Sequence, residues 1–263
     1  MGTHVLILLF ILFALLTLGF FIFLHWGTRW GSTSEERAKQ MPGDVYLEGG
    51  PKARVSMTRA ISIAASPQTV WPWLAQLGRG AGWYSIDWLD NRGRESARHI
   101  ISWIPEPKLG DASPVGYLRH IEYNKALVWW VKGTMFVGAM TRLVVDMRLT
   151  PENKGSRLII RMSADAEGFT AKFALLIFEF IDSIMARSQL IGIKERVEHY
   201  GRRAINPDEP ETGAKDQYQL YEVIYANGER AGVPGKELAM RWRQTAIEDG
   251  LIALALTFDS GEQ

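Results

Sequence analysis

The chain has no cysteine. Disulfides and thiolate chemistry are therefore excluded, and any metal site would lack the usual soft ligand. Histidine is sparse as well: the five present (His4, His25, His99, His120 and His199) show no H-x-x-x-H spacing, so no metal is expected. There is no G-x-S-x-G turn and no Walker sequence. Gly78-Arg79-Gly80-Ala81-Gly82 resembles a dinucleotide loop only superficially, because it follows a helical pattern rather than a strand and lacks the full fingerprint; no cofactor is expected. Charge of one sign is lacking too. The net charge is +1, and the basic residues form no stripe interleaved with aromatics, so nucleic acid is not an expected partner.

Apolar sequence is abundant. Of 263 residues, 47% are hydrophobic and 22% charged, an ordinary globular balance in a chain long enough to bury a sizeable core. The run from Val5 to Leu24 (VLILLFILFALLTLGFFIFL) carries no charge. At ~1.5 Å per residue it matches the ~30 Å hydrocarbon core of a bilayer. His25, Trp26 and Trp30 follow it as an interfacial girdle would. The competing reading is a cleaved signal peptide. Against it, MGTH has no Lys or Arg, the run is long, and no A-x-A site follows. A retained single-pass membrane anchor over residues 1–30 is the expectation. Arg29, Arg37 and Lys39 after the run place the body in the cytoplasm by the positive-inside tendency.

Residues 31–52, which include GSTSEERAKQMPGDVYLEGGP, are polar and punctuated by Gly and Pro, as a tether would be. Alternation over Arg54–Ala65 gives a half-buried strand that Arg59 interrupts. Ser66-Pro67 opens a helix whose apolar stripe is Val70, Trp71, Trp73, Leu74 and Leu77. Gly78, Gly80 and Gly82 make a flexible elbow before a second short helix bearing Tyr84 and Trp88. Strand character recurs at Gly116–Tyr123, Leu127–Lys132, Phe136–Thr150 and Ser156–Asp165, joined by short turns that favour antiparallel pairing. From about Thr170 to Arg203, Phe173, Leu176, Ile177, Phe180, Ile181 and Ile184 keep helical spacing. Ile205–Asp216 reads as a linker, and Lys236–Asp249 as helical.

Strand, two short helices, antiparallel strands and a long terminal helix make a helix-grip pattern. Three pieces resemble the SRPBCC superfamily (START, Bet v 1 and polyketide cyclase/dehydrase relatives): WGSTSEERAKQMPGD, TRAISIAASPQTVWPWLAQLGRGAGWYSIDWLDN and IPEPKLGDASPVG. They are most similar to its bacterial branch with an N-terminal membrane helix. The resemblance covers residues ~30–203 and leaves 204–263 without a counterpart. It implies an α+β fold in which a curved antiparallel sheet wraps around a long C-terminal helix and two short helices close one end. One transmembrane helix would precede it, and a linker with a helical extension (204–263) would follow. The domain, residues 53–203, would hold a hydrophobic small molecule or lipid in a cavity between sheet and helix.

Alternation in Phe136–Thr150 and Ser156–Asp165 sends the apolar residues toward the helix and Arg142, Asp146, Arg148, Arg157, Arg161 and Asp165 to solvent. These two strands then place no ionisable group in the cavity, which weighs against acid–base catalysis. His120 and Glu122 are the alternative base and orienter if they point inward; otherwise they form a solvent-facing pair. Asp87 and Asp90 read as helix-surface or capping acids rather than a catalytic pair. Glu179, Asp182 and Arg187 read as a narrow solvated edge of the long helix rather than a buried cluster. The expected ligand-binding residues are Trp83, Tyr84, Trp88, Tyr117, Arg119, Trp129, Phe136, Phe173, Ile177 and Phe180, with Trp83, Tyr84 and Trp88 acting as a gate. The function expected is a membrane-tethered binder of hydrophobic molecules. The alternatives are a cyclase- or dehydratase-like enzyme on an apolar substrate, and a non-catalytic scaffold that docks a protein partner through its tail.

Overall fold

The structure, a computed structural model, describes residues 2–51, 53–91, 93, 95–102, 104–113, 115–135, 140–205, 221–224, 230–233 and 257–259. The order begins with α1 (Gly2–Gly27), α2 (Ser34–Ala38), a 3-10 turn (Asp44–Leu47), β1 (Ala53–Ile63), α3 (Pro67–Gln76) and the single-turn α4 (Asp87–Asp90). It continues through β2 (Ile100–Ile101), β3 (Ala112–Ser113), β4 (Gly116–Glu122), β5 (Ala126–Met135), β6 (Met140–Glu152) and β7 (Gly155–Ala166) to α5 (Ala171–Tyr200) and β8 (Ala204–Ile205). The main sheet is antiparallel with strand order β1-β7-β6-β5-β4-β3. Its inner face, including Trp129, Leu143, Met147 and Ile160, packs on α3 and α5 in one apolar core. This is the expected α+β helix-grip architecture. The tail differs: β9 (Tyr221–Ile224), β10 (Arg230–Val233) and β11 (Thr257–Asp259) form a small antiparallel sheet. The helix expected at Lys236–Asp249 lies outside the described residues.

The long helix turns a different face to the sheet from the one its large apolar residues suggest. Half of its buried positions are small (Ala171, Ala174, Ser183, Ala186 and Gly192), with Leu175, Leu190, Ile193 and Val197 beside them, while Phe173, Phe180 and Ile184 are exposed. Small residues let the helix approach closely. A Cβ on Gly192 would lie 2.0 Å from the Tyr84 carbonyl oxygen. The displaced aromatics serve α1 instead: the Phe180 ring sits 5.5 Å from Phe20 and 5.7 Å from Phe23.

At that junction a Cβ on Gly27 would fall 2.6 Å from Ser183 Cβ, so only glycine permits the approach. Arg187 lies over the rings of Trp26 and Trp30. Arg59, from the edge strand β1, is fully buried and faces the helix. Its Nε donates to the Gly27 carbonyl at 2.7 Å, and its guanidinium pairs with Asp182. Asp182 is therefore not on a solvated edge. A charge removed from water requires a partner, and Arg59 is that partner. Burial pushes the Asp182 carboxyl above its usual range, and Arg59 opposes that shift.

Residues 31–51 are docked along the outer face of the sheet, not strung out as a tether. Thr33 and Glu36 form a reciprocal capping box at the start of α2. Arg157 pairs with Glu36 at 2.7 Å, and Arg161 pairs with Asp44 at 2.9 Å while donating to the Glu36 and Arg37 carbonyls. Arg142 donates to the carbonyls of Tyr46, Leu47 and Glu48 and pairs with Asp165. Gly43 N–H donates to Asp146. Outer-face charges thus bind the strap's backbone rather than water. Its apolar contacts among the described residues are small: Leu47 of the strap packs on Tyr117, Val128, Trp130 and Val144, and Met41 packs with Ala60 and Ile159.

Replacing Arg59 by Met leaves the Asp182 carboxylate and the Gly27 carbonyl buried without a donor. Urea unfolding should register a loss of roughly 3–5 kcal/mol, with much of it recovered in Arg59→Met/Asp182→Leu. A double variant no more stable than the single one would refute this account. Burial and the nearby Asp44 charge hold the Asp146 pKa up at about 7, against 3.8 ordinarily. A raised carboxyl stabilises the fold below its unfolded pKa and loses that contribution as pH rises through the folded value. Proteolysis within residues 31–51 should therefore increase from pH 5 to pH 8 in the wild type, and much less in Asp146→Asn.

Candidate functional site

Between the inner face of the sheet and α5 lies a cavity of about 210 Å3. The sheet contributes Val145 and Met147 from β6 and Met162 from β7, and α5 contributes Met185 and Ala186. These strand residues belong to the apolar set that alternation directs toward the helix. Trp83 and Val115 close the wall near α4. Methionines supply adaptable, polarisable surface suited to ligands of varied shape. Four polar side chains also line the space: Ser85, Asp90, Asp182 and Gln189.

Two of these are already engaged. Ser85 Oγ donates to the Met185 carbonyl at 2.9 Å, and Gln189 Nε2 donates to the Trp83 carbonyl at 3.2 Å. Both bonds tie the α4 side of the cavity to α5. Asp182 is held by Arg59. Asp90 is different. Both its carboxyl oxygens are shielded from solvent and find no hydrogen-bond partner. Burial pushes its pKa up to about 6; a loose Ser85 contact opposes that shift and the Asp87 charge adds to it.

The elbow before α4 is locked rather than flexible. Gly78 N–H donates to the Gly82 carbonyl at 2.9 Å, and Arg79 between them is buried against Asp111 at 2.6 Å. The Arg79 guanidinium also donates to the Ala75 and Pro105 carbonyls, which is why the Gly78–Gly82 loop presents no phosphate cradle. Tyr84 takes a positive φ of 58° there and is fully buried, its hydroxyl accepting from Gln76 Nε2 at 2.6 Å.

Of the expected ligand-binding residues, Trp83 alone lines the cavity. Tyr84 and Trp129 are core, and Trp88 is 75% exposed. Tyr117 and Arg119 lie on the outer face, where Arg119 stacks over Tyr46 and Trp130. Phe173 is 61% exposed, Ile177 is half-buried away from the cavity, and Phe180 meets α1. Phe136 lies outside the described residues. The proposed acid–base pair fails geometrically. A bulge between Leu118 and His120 resets the alternation, so His120 pairs with Val128 on the outer face. Glu122 is half-exposed and pairs with Lys125. Sequence reading missed Ser85, Val115, Met185, Ala186 and Gln189 as lining residues. One signal was available: Asp182, Met185, Ala186 and Gln189 share a helix face at i, i+3, i+4, i+7 spacing.

No protein-family model matches the chain, and no curated protein matches it. Among solved structures, protein NE0264 from Nitrosomonas europaea is similar at 12% identity and TM-score 0.35, covering 56% of this chain and 96% of that one. The di-domain ARO/CYC BexL from the BE-7585A biosynthetic pathway matches at 16% identity and TM-score 0.38, over 59% of this chain and 53% of that one. This chain thus spans about half the length of BexL. Ara h 8.0201 matches at 10% identity and TM-score 0.32, over 55% and 97%. Likenesses this distant leave function to be argued from the site itself.

Asp90 gives the site a measurable pH signature. Its raised pKa means that its stabilising contribution is present below about pH 4 and lost as pH passes through about 6. The melting temperature of Asp90→Asn should exceed that of the wild type at pH 8, with the difference vanishing at pH 4. Equal melting temperatures at both values would contradict the burial assigned to Asp90.

Proposed function

We propose that this protein is a membrane-tethered binding protein that holds a lipid or other hydrophobic small molecule between sheet and long helix. The observation that carries this reading is the methionine-rich cavity, whose walls are apolar apart from four polar side chains. Small-molecule sites have this character: a largely apolar surface with a few placed polar groups that fix orientation. At about 210 Å3 the space lies below the ~300–1,000 Å3 usual for such sites, and so suits a slender ligand or one end of a longer one. Binding would draw on apolar area removed from water. The enzyme reading loses its residues, since His120 and Glu122 are on the opposite face of the sheet.

The tether is α1. Thr3–Gly27 is long and apolar enough to cross a membrane, and none of its most apolar window is buried by the rest of the protein. A core helix would be covered. A cleaved signal would not be built into the body, as Gly27 is by Ser183 and by the Arg59 hydrogen bond. A retained anchor is therefore the reading we adopt, with the body in the cytoplasm. A ligand that partitions into the bilayer would then be concentrated beside its site.

Full-length protein purified in detergent and analysed by native mass spectrometry should carry a hydrophobic small molecule or lipid. Ala186→Phe, which fills the cavity, should lose that molecule while keeping a single cooperative melting transition. Equal occupancy in both proteins would sink the cavity reading. Reporters fused after residue 45 should be active in the cytoplasm, and activity confined to the far side of the membrane would reverse the topology.

A further inference from the structure

We infer that the cavity selects ligands with a hydrogen-bond donor at one end, a protonated amine above all, and discriminates against carboxylates such as free fatty acids. The inference rests on the ligand-binding reading and narrows it to a chemical class.

The argument is one of unmet acceptors. Among the described residues that line the cavity, two side chains are acids and none is basic. Asp182 is answered by Arg59, which reaches it from β1. Asp90 has no such partner: neither of its oxygens makes a hydrogen bond of full geometry, and the Ser85 hydroxyl and the Ile86 and Asp90 N–H groups only lean on it from nearby. The neighbouring polar side chains have spent their protons elsewhere. Ser85 spends its hydroxyl proton on the Met185 carbonyl, and the Gln189 amide donates to the Trp83 carbonyl. Asp87, close enough to act on Asp90 through its charge, is another anion, and it accepts from Ser96 N–H and Oγ–H.

An unpaired carboxyl at an apolar wall costs stability, and buried polar groups are satisfied in the great majority of native structures. A bound donor would satisfy this one. A hydroxyl would give one hydrogen bond. An ammonium would give a charge-assisted bond and would also offset the negative charge of the walls, where Asp90 and Asp182 meet a single guanidinium and Asp87 adds to the excess. A carboxylate would place a further anion beside Asp90 and Asp182. The default guess for a tethered apolar pocket, a fatty acid, is thus disfavoured by the charges of its walls.

The test compares three ligands that share one chain: octylamine, 1-octanol and octanoate. Each is titrated at pH 8 into the detergent-solubilised full chain, and binding is read by native mass spectrometry against Ala186→Phe as the background. At that pH Asp90, with its pKa near 6, is ionised. Octylamine should bind tightest and octanoate weakest, separated by roughly tenfold or more, the scale of one hydrogen bond to a charged group. In Asp90→Asn the amine should fall to the level of the alcohol while the alcohol stays close to its wild-type value. Octanoate binding as well as octylamine, or an order unchanged by Asp90→Asn, overturns the inference and leaves the cavity standing. If none of the three rises above the Ala186→Phe background, the cavity reading falls, and this inference with it.

Discussion

Arg59 carries a guanidinium shut away from solvent, so every group that answers its charge must come from the protein. That requirement joins three parts of the chain far apart in sequence. The guanidinium sits on the edge strand, its carboxylate partner is on the long helix, and its carbonyl partner is the last residue of α1. A helix C-terminus presents partial negative charge, so a cation suits it. Apolar side chains of similar volume could hold these segments together about as firmly. What they would lack is direction, because the ion pair accepts only one registry of α1, β1 and α5. The close approach of Gly27 to Ser183 depends on that registry, and so does the position of the α5 face that lines the cavity.

The outer face uses the same chemistry less deeply. Arg142, Arg157 and Arg161 project from neighbouring strands and bind the strap mainly through its backbone carbonyls and two acids. Backbone carbonyls are indifferent to side-chain identity, so a polar segment rich in turns can lie on a sheet without a large apolar face of its own. The sheet is consequently covered on both sides. Its inner face packs on an apolar helix, and its outer face is read by charge and hydrogen bonds.

Period and turn chemistry made much of this legible. The alternation in β6 and β7, the short turns between the strands and the helical spacing from about Thr170 onward all correspond to observed elements. The misreadings share a cause: each assumed that a side chain's chemistry names its surroundings. Phe173 and Phe180 were assigned to the core because they are large and apolar, whereas α5 approaches the sheet through alanine, serine and glycine. Arg161 and Asp146 were assigned to solvent because they are charged, whereas a strap covers them. Tyr117 and Arg119 were placed in the cavity by strand position alone, and His120 was left open. A one-residue bulge settles which way such residues point, and alternation gives no sign of it. Asp90 and Asp182 looked like ordinary helix acids, because burial by a distant element leaves no local trace.

The docked strap also changes the mechanics of attachment. A free chain of the strap's length would let the body wander over roughly 25 Å from α1. Here both ends are fastened: Thr28 and Trp30 carbonyls accept from β1 at one end, and Arg142 grips residues 46–48 at the other. The segment works as a bracket rather than a leash. Where α1 spans a bilayer, the cavity stays at one height and one bearing above it.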